Sequence, residues 1–162
     1  MCFDKRPKAT ASIKGGPLRP QINGTAWFFD APEGGTYLLV KIEGLPPYQP
    51  ATIDHPPIGP HGFHIHSGCI CTVGDPKKPF LEAGEHYNPD NQPHGNHVGD
   101  LPVLFSMNGL AILLFYSNRF KPHEVIGRTL IIHENPDDFR SQPAGNSGLR
   151  LACGEIKKFD CL

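Results

Sequence analysis

The segment Gly62-Phe-His-Ile-His66 sets two imidazoles two residues apart. In an extended chain alternate side chains point to opposite faces, so His64 and His66 share one face while Phe63 and Ile65 share the other. The apolar pair can enter a core and the histidines can converge on one ion. Alone, such a pair is weak evidence, because two exposed strand histidines read the same way. A second group changes the balance. Between Gly84 and Asp100 lie His86, His94, His97 and Asp100. Three imidazoles and a carboxylate complete a tetrahedral donor set for zinc with no position left for water. A closed set is what a structural ion needs, and a loop so poor in apolar residues needs such an ion. His133 ends the apolar run Arg-Thr-Leu-Ile-Ile-His and stands beside Glu134, Asp137 and Asp138. It reads as a further ligand with carboxylates at hand to orient it.

These residues require rigid carriers, and the periodicity supplies strands. Candidates are Ala9–Lys14, Ile22–Asp30, Gly35–Ile42, Gly62–His66, Leu101–Met107, Leu110–Ser117, Arg128–His133 and Leu149–Ile156. Asn108-Gly109, between two of them, is a strong hairpin signal. About eight strands suit a sandwich or barrel. His123-Glu-Val-Ile can form one helical turn. Ser67–Asp100, rich in Gly, Pro, Asn and His, and Glu134–Gly148, with Pro136, Pro143, Gly145 and Gly148, do not read as strands. Loops of this length in a compact domain tend to be functional, and a metal ion plus a disulfide would hold the longer one.

The 162 residues fit one domain spanning 1–162, with no internal repeat. Gly and Pro contribute 18 residues each without a period, as expected for short strands joined by ordered turns, and 38% hydrophobic residues argue against disorder. A formal net charge of −1 gives no sign of a nucleic-acid or anionic-membrane partner. No stretch approaches the roughly 18–20 apolar residues that cross a bilayer as a helix. The charged N-terminus MCFDKRPKATASIK lacks the apolar run of a signal peptide, which slightly favours the cytoplasm over export. Five cysteines (Cys2, Cys69, Cys71, Cys153 and Cys161) leave at least one thiol unpaired or joined to another chain. Cys69-Ile-Cys71 is too tight for a zinc knuckle, so the cysteines read as structural.

Taken together, GFHIH, GEHYNP with HGNHVGD, GRTLIIHENPDD and GNSGLRLACG occur in an order and at spacings that resemble the copper–zinc superoxide dismutase family, from about Ala9 to Ile156. The resemblance implies an all-β fold, an eight-stranded Greek-key β-barrel (an immunoglobulin-like sandwich) with two long functional loops. It also implies copper and zinc as cofactors and disproportionation of superoxide to dioxygen and hydrogen peroxide. Carried over residue by residue, it makes His64, His66, His86 and His133 the copper ligands and His86, His94, His97 and Asp100 the zinc ligands. His86 then bridges both ions and supplies a proton to the departing peroxide. Asp137 matches the carboxylate that orients one histidine of each set, and Arg150 the arginine that attracts the anion. Cys153 matches the barrel cysteine of the family's disulfide, and the bacterial members favour Cys71 over Cys69 as its partner. Cys2 and Cys161 flank the first and last strands, and a second bridge or two free thiols fit equally. The family includes homodimers and monomers.

The chain departs from the eukaryotic members in its short Glu134–Gly148 segment, where Arg140 is the one cation. Lys77 and Lys78 could replace the missing lysines in steering substrate, though a solvated loop reads the same way. His55, His61 and His123 have no assigned role and read as surface residues. Two other readings compete. A non-catalytic or copper-chaperone-like domain would be expected to have lost a copper ligand or Arg150, and neither is lost. A cupin-type enzyme would carry a Glu soon after HxH and a single metal.

Overall fold

The computed structural model describes residues 6–55 and 57–160. Seven antiparallel strands form one curled sheet: β1 (Ala9–Gly15), β2 (Asn23–Asp30), β3 (Thr36–Glu43), β4 (Phe63–His66), β5 (Ala111–Ser117), β6 (Thr129–His133) and β7 (Arg150–Lys158). Their order is β4-β6-β7-β1-β2-β3-β5, so the β3–β4 and β5–β6 connections both cross the sheet. The strands follow from alternation. Ala9, Ala11 and Ile13 of β1 are fully buried, as are Leu38, Val40 and Ile42 of β3, whereas Ser12 and Lys14 face water. Phe28, Phe63, Ile65, Leu130 and Ile132 complete the same core from β2, β4 and β6. Full burial of each such side chain stabilises by about 1.5–3 kcal/mol. Pro122–Glu124 forms a single 3₁₀ turn close to the expected helical one, and Leu81–Ala83 forms another. Among the described residues no helix is long and apolar enough to cross a membrane.

The expected eighth strand, Leu101–Met107, does not form. Pro102 has no amide proton to donate, and towards β4 the segment pairs at Leu104 alone, with His61 at 2.8 and 2.9 Å. Phe105 and Met107 instead face solvent. The hairpin is nonetheless present. Met107 and Leu110 exchange hydrogen bonds at 2.8 and 3.1 Å across Asn108 and Gly109, both at positive φ. The segment thus runs from the edge of β4 to the start of β5.

A second, smaller core lies on the outer wall. Phe80 and Ala83, from the long loop, pack on Ile131 of β6 and Cys153 of β7, with Cys71 against them. Cys71 and Cys153 are disulfide-bonded, with a Cα–Cα distance of 5.6 Å, and Cys69 is an exposed free thiol. Of the two candidates, Cys71 is therefore the partner. The question of a Cys2–Cys161 bridge lies outside the described residues.

The bond closes a loop with a sequence separation of 82. Cys153→Ser in the oxidised protein is expected to cost about 2–5 kcal/mol in urea unfolding, while Cys69→Ser should stay within about 0.5 kcal/mol of the parent.

Candidate metal centre

Both sets of predicted ligands meet on the outside of the barrel wall. In β4 the register pairs His64 with Ile131 and His66 with Thr129, so the imidazoles share the outer face with Ile131 while Phe63 and Ile65 point into the core. A register shift between Ile132 and His133 bends the end of β6, and His133 pairs with Arg150 at the start of β7. The long loop then adds itself to the free edge of β4. Tyr87 donates to Ile65 O at 2.8 Å, Ile65 to Gly99 O at 2.9 Å, and Ser67 to Glu85 O at 2.8 Å. This sets His86 opposite His66 and Asp100 opposite His64. Gly99 is required there, because a Cβ would lie 2.2 Å from Ile65 O.

His64, His66, His86 and His133 form one four-residue group and His86, His94, His97 and Asp100 another, with the donor atoms of each within 4.8 Å of one another. His86 belongs to both. His66 Nε2 and His133 Nε2 are 3.3 Å apart. In the other group the Nδ1 atoms of His86, His94 and His97 lie 2.9, 3.2 and 3.3 Å from Asp100 oxygens.

The hydrogen bonds settle which nitrogen of each ring is bare. His64 Nε2–H donates to Asp137 Oδ2 at 2.7 Å, and His94 Nε2–H to Asp137 Oδ1 at 2.8 Å. His66 Nδ1–H donates to Gly84 O at 2.8 Å. Four ring nitrogens buried without a hydrogen-bond partner remain: His64 Nδ1, His86 Nε2, His94 Nδ1 and His97 Nδ1. Buried polar atoms are rarely left so, and these are aimed at the centres of the two groups. The donor set fits metal cations. Burial also holds the rings neutral, with the lone pairs free. It lowers His64 to about 4, takes His66 and His133 well below the usual imidazole value, and lowers His97. All-imidazole and imidazole–carboxylate sets of this kind could hold copper and zinc respectively.

Asp137 comes from the 134–148 segment, which folds tightly over it. A Cβ on Gly145, at φ +65°, would sit 1.9 Å from Asp137 Oδ1 and 2.6 Å from His94 Nε2, so glycine lets the chain pass over this junction. Asp138 turns the segment, accepting from the amides of Arg140 and Ser141 at 2.9 and 2.8 Å. Arg150 is half-buried beside the first group. It donates to Phe80 O at 2.6 Å and Gly84 O at 2.7 Å, and burial lowers its pKa without neutralising it. Lys77, Lys78 and Arg140 are exposed.

His55 and His123 are exposed as expected, but His61 is not a surface residue. It is fully buried, and its Nδ1–H donates to His133 O at 2.9 Å and Glu134 O at 3.1 Å, tying β6's end to the chain entering β4. Two arginines also support the ligands. Arg128 donates to Ser67 O at 2.7 Å and lies 4.4 Å over the Tyr87 ring, gripping the neighbours of His66 and His86. Arg119 donates to His97 O at 2.8 Å. The adjacency of His61 to GFHIH and of Arg128 to the β6 run was the available signal.

The fold and the site define a β-barrel protein with two adjoining side-chain groups on its outer wall that could each hold a metal ion, and one imidazole common to both. The model of the copper/zinc superoxide dismutase family matches residues 22–156. The copper–zinc superoxide dismutase of Deinococcus radiodurans is 36% identical over 151 residues, 83% of this chain and 76% of that protein. Superoxide dismutase 4 (copper–zinc) of Dictyostelium discoideum is 36% identical over 167 residues, 93% of this chain and 98% of that protein. The solved Cu/Zn superoxide dismutase from Brucella abortus superposes with a TM-score of 0.73 at 32% identity, over 93% of this chain and all of that one. The chain belongs to the copper/zinc superoxide dismutase family.

Metal removal exposes the titration of the rings. Unfolding returns them to about 6.5, so below that pH the unfolded chain binds more protons than the folded one. Burial alone would raise Asp100, but the hydrogen bond with His86 and the adjacent imidazoles bring it down to about 2. Its contribution is present above the usual carboxylate range and lost as pH falls toward 2. Both effects act alike. The melting temperature of the metal-free protein is expected to fall as pH drops from about 6.5 toward 4, and calorimetry across that window checks it.

Proposed function

We propose that this protein, acting as one domain, is a superoxide dismutase that converts two superoxide anions and two protons into dioxygen and hydrogen peroxide. His64, His66, His86 and His133 hold copper, and His86, His94, His97 and Asp100 hold zinc. The observation that carries the reading is the place of His86 in both groups, with its Nε2 left without a protein partner. When bound, copper supplies one-electron acceptance and donation, and zinc a fixed charge without redox chemistry.

The chain's own contributions follow from the contacts. Asp137 holds His64 and His94 in the tautomer that presents Nδ1. Asp100 Oδ2 accepts the amides of Gly95 and His97 at 2.8 and 3.0 Å, which fixes its carboxylate among the three Nδ1 atoms. His86 Nε2 is the atom where a proton for the product can be held. The Arg150 guanidinium, fixed on carbonyls of the loop that also orients His66, binds and positions the anion. Its charge sits close to the site, so it raises the encounter rate in a salt-sensitive way. Every copper-ligand position and Arg150 are present, which favours catalysis over passive metal binding.

Two variants test this. His133→Ala is expected to lose copper and dismutase activity while keeping about one zinc per chain and the parent circular dichroism, read by elemental analysis and assay. Full activity in that variant would end the assignment. Arg150→Ala should lower kcat/KM about tenfold or more and flatten its dependence on ionic strength, with both metals retained.

A further inference from the structure

We propose that a cleft at the far end of β7 from Arg150 binds an organic phosphate of nucleoside-diphosphate size. Arg150 opens β7 and Lys158 closes it, which sets them about 26 Å apart along the strand. Lys158 is in register with Ala9, and Asp30 lies two residues beyond Phe28 on β2. Ala9 and Phe28 are fully buried, so Lys158 and Asp30 continue the inward faces of their strands past the filled core. The chain entering β1 and the 3₁₀ turn at Pro122–Glu124 complete the walls. Arg6, Lys8, His123, Ile126 and Phe159 join Lys158 and Asp30 around a cavity of about 500 Å³. A second cavity of about 340 Å³, bordered by Lys121, Gly34 and Gly35, shares Asp30 and His123 with the first.

Charge and shape together select the ligand. The walls carry four fixed cations, Arg6, Lys8, Lys121 and Lys158, against the one carboxylate of Asp30, which Lys8 meets at 3.9 Å. Glu33, Glu124 and Asp160 are near in sequence but line neither cavity. Glu33 accepts from the Tyr37 hydroxyl, and Glu124 from the Lys121 amide at 2.6 Å. The whole chain has a net charge of −1, so this excess of cations is local. It calls for an anion of more than one charge, which a monocarboxylate does not supply. Phe159 and Ile126 give the larger cavity an apolar wall on which a flat ring can pack. A ring seated there carries its phosphates toward Lys121 and His123 in the adjoining cavity. The volumes suit a small organic ligand. Neither Arg150 nor any residue of the histidine clusters lines either cavity, so this inference and the metal assignment stand or fall separately.

Isothermal titration calorimetry of the metal-loaded protein with ADP tests the site, with pyrophosphate and adenosine titrated separately. ADP is expected to bind one to one, pyrophosphate about tenfold more weakly, and adenosine more weakly still. Lys158→Glu and, separately, Lys121→Glu reverse a charge at exposed positions and should each weaken ADP at least tenfold, with circular dichroism and metal content unchanged. Phe159→Ala should weaken ADP about tenfold and leave pyrophosphate as in the parent. If Phe159→Ala misfolds, the two exposed lysines decide. Lys77→Glu makes the same charge change on the exposed long loop and should leave ADP binding intact. No ADP binding at about 1 mM, folded Lys158→Glu and Lys121→Glu that bind as the parent does, or loss of binding in Lys77→Glu would each overturn it.

Discussion

The structure turns on one buried carboxylate between two imidazoles. Asp137 is reached by His64 from β4 and by His94 from the long loop, at 2.7 and 2.8 Å, and each ring donates through Nε2. That choice of nitrogen leaves both Nδ1 atoms bare, one in each group, and ties the spacing of the groups to the width of a carboxylate. The arrangement leaves buried nitrogens unsatisfied in the metal-free chain. Since such atoms cost about 1–3 kcal/mol each, cations belong to the folded state as much as to its chemistry.

Placing the site outside the barrel solves a packing conflict. The interior holds closely packed aliphatic and aromatic side chains, where a charged centre would be strongly disfavoured. The outer wall offers a rigid backbone and alternate positions free for ligands, but also water. The two loops exclude that water. One is secured by backbone pairing along the β4 edge, the Cys71–Cys153 bond and the small core around Phe80. The other is secured by Asp137 beneath and Asp138 within.

What could be read in the sequence was what depends on local period and spacing. HxH alternation assigned the faces of β4 correctly, and Asn108-Gly109 marked the turn. The loop donors were recognisable because four ligand-type residues, three His and one Asp, lie within a short span. Leu101–Met107 failed for a reason the same logic cannot see. Its alternation of Leu104 with Phe105 resembles a half-buried strand, but a ladder needs successive pairs along its length, and the segment makes only the isolated pairs Leu104–His61 and Met107–Leu110. His61 was misplaced because its adjacency to GFHIH, the one local signal, does not show which groups would bury it. Its acceptors are the carbonyls of His133 and Glu134, some seventy residues away, and only the β4–β6 pairing brings them near. The roles of Arg119 and Arg128 were hidden likewise, because each grips the loop backbone from a distant element.

One carbonyl links the two halves of the chemistry. Gly84 O accepts from His66 Nδ1 and from the Arg150 guanidinium, at 2.8 and 2.7 Å. The first contact sets the tautomer of His66, and the second holds the guanidinium that we propose meets the anion. Arg150 starts β7, and Cys153, three residues on in the same strand, anchors the same loop through Cys71. A shift of that loop would therefore disturb the His66 tautomer and the guanidinium together, because both are referred to one peptide group. On the proposed reading, binding of the anion and orientation of the ring are therefore not separate adjustments. They are two contacts of a single backbone oxygen, in the loop that the Cys71–Cys153 bond ties to β7.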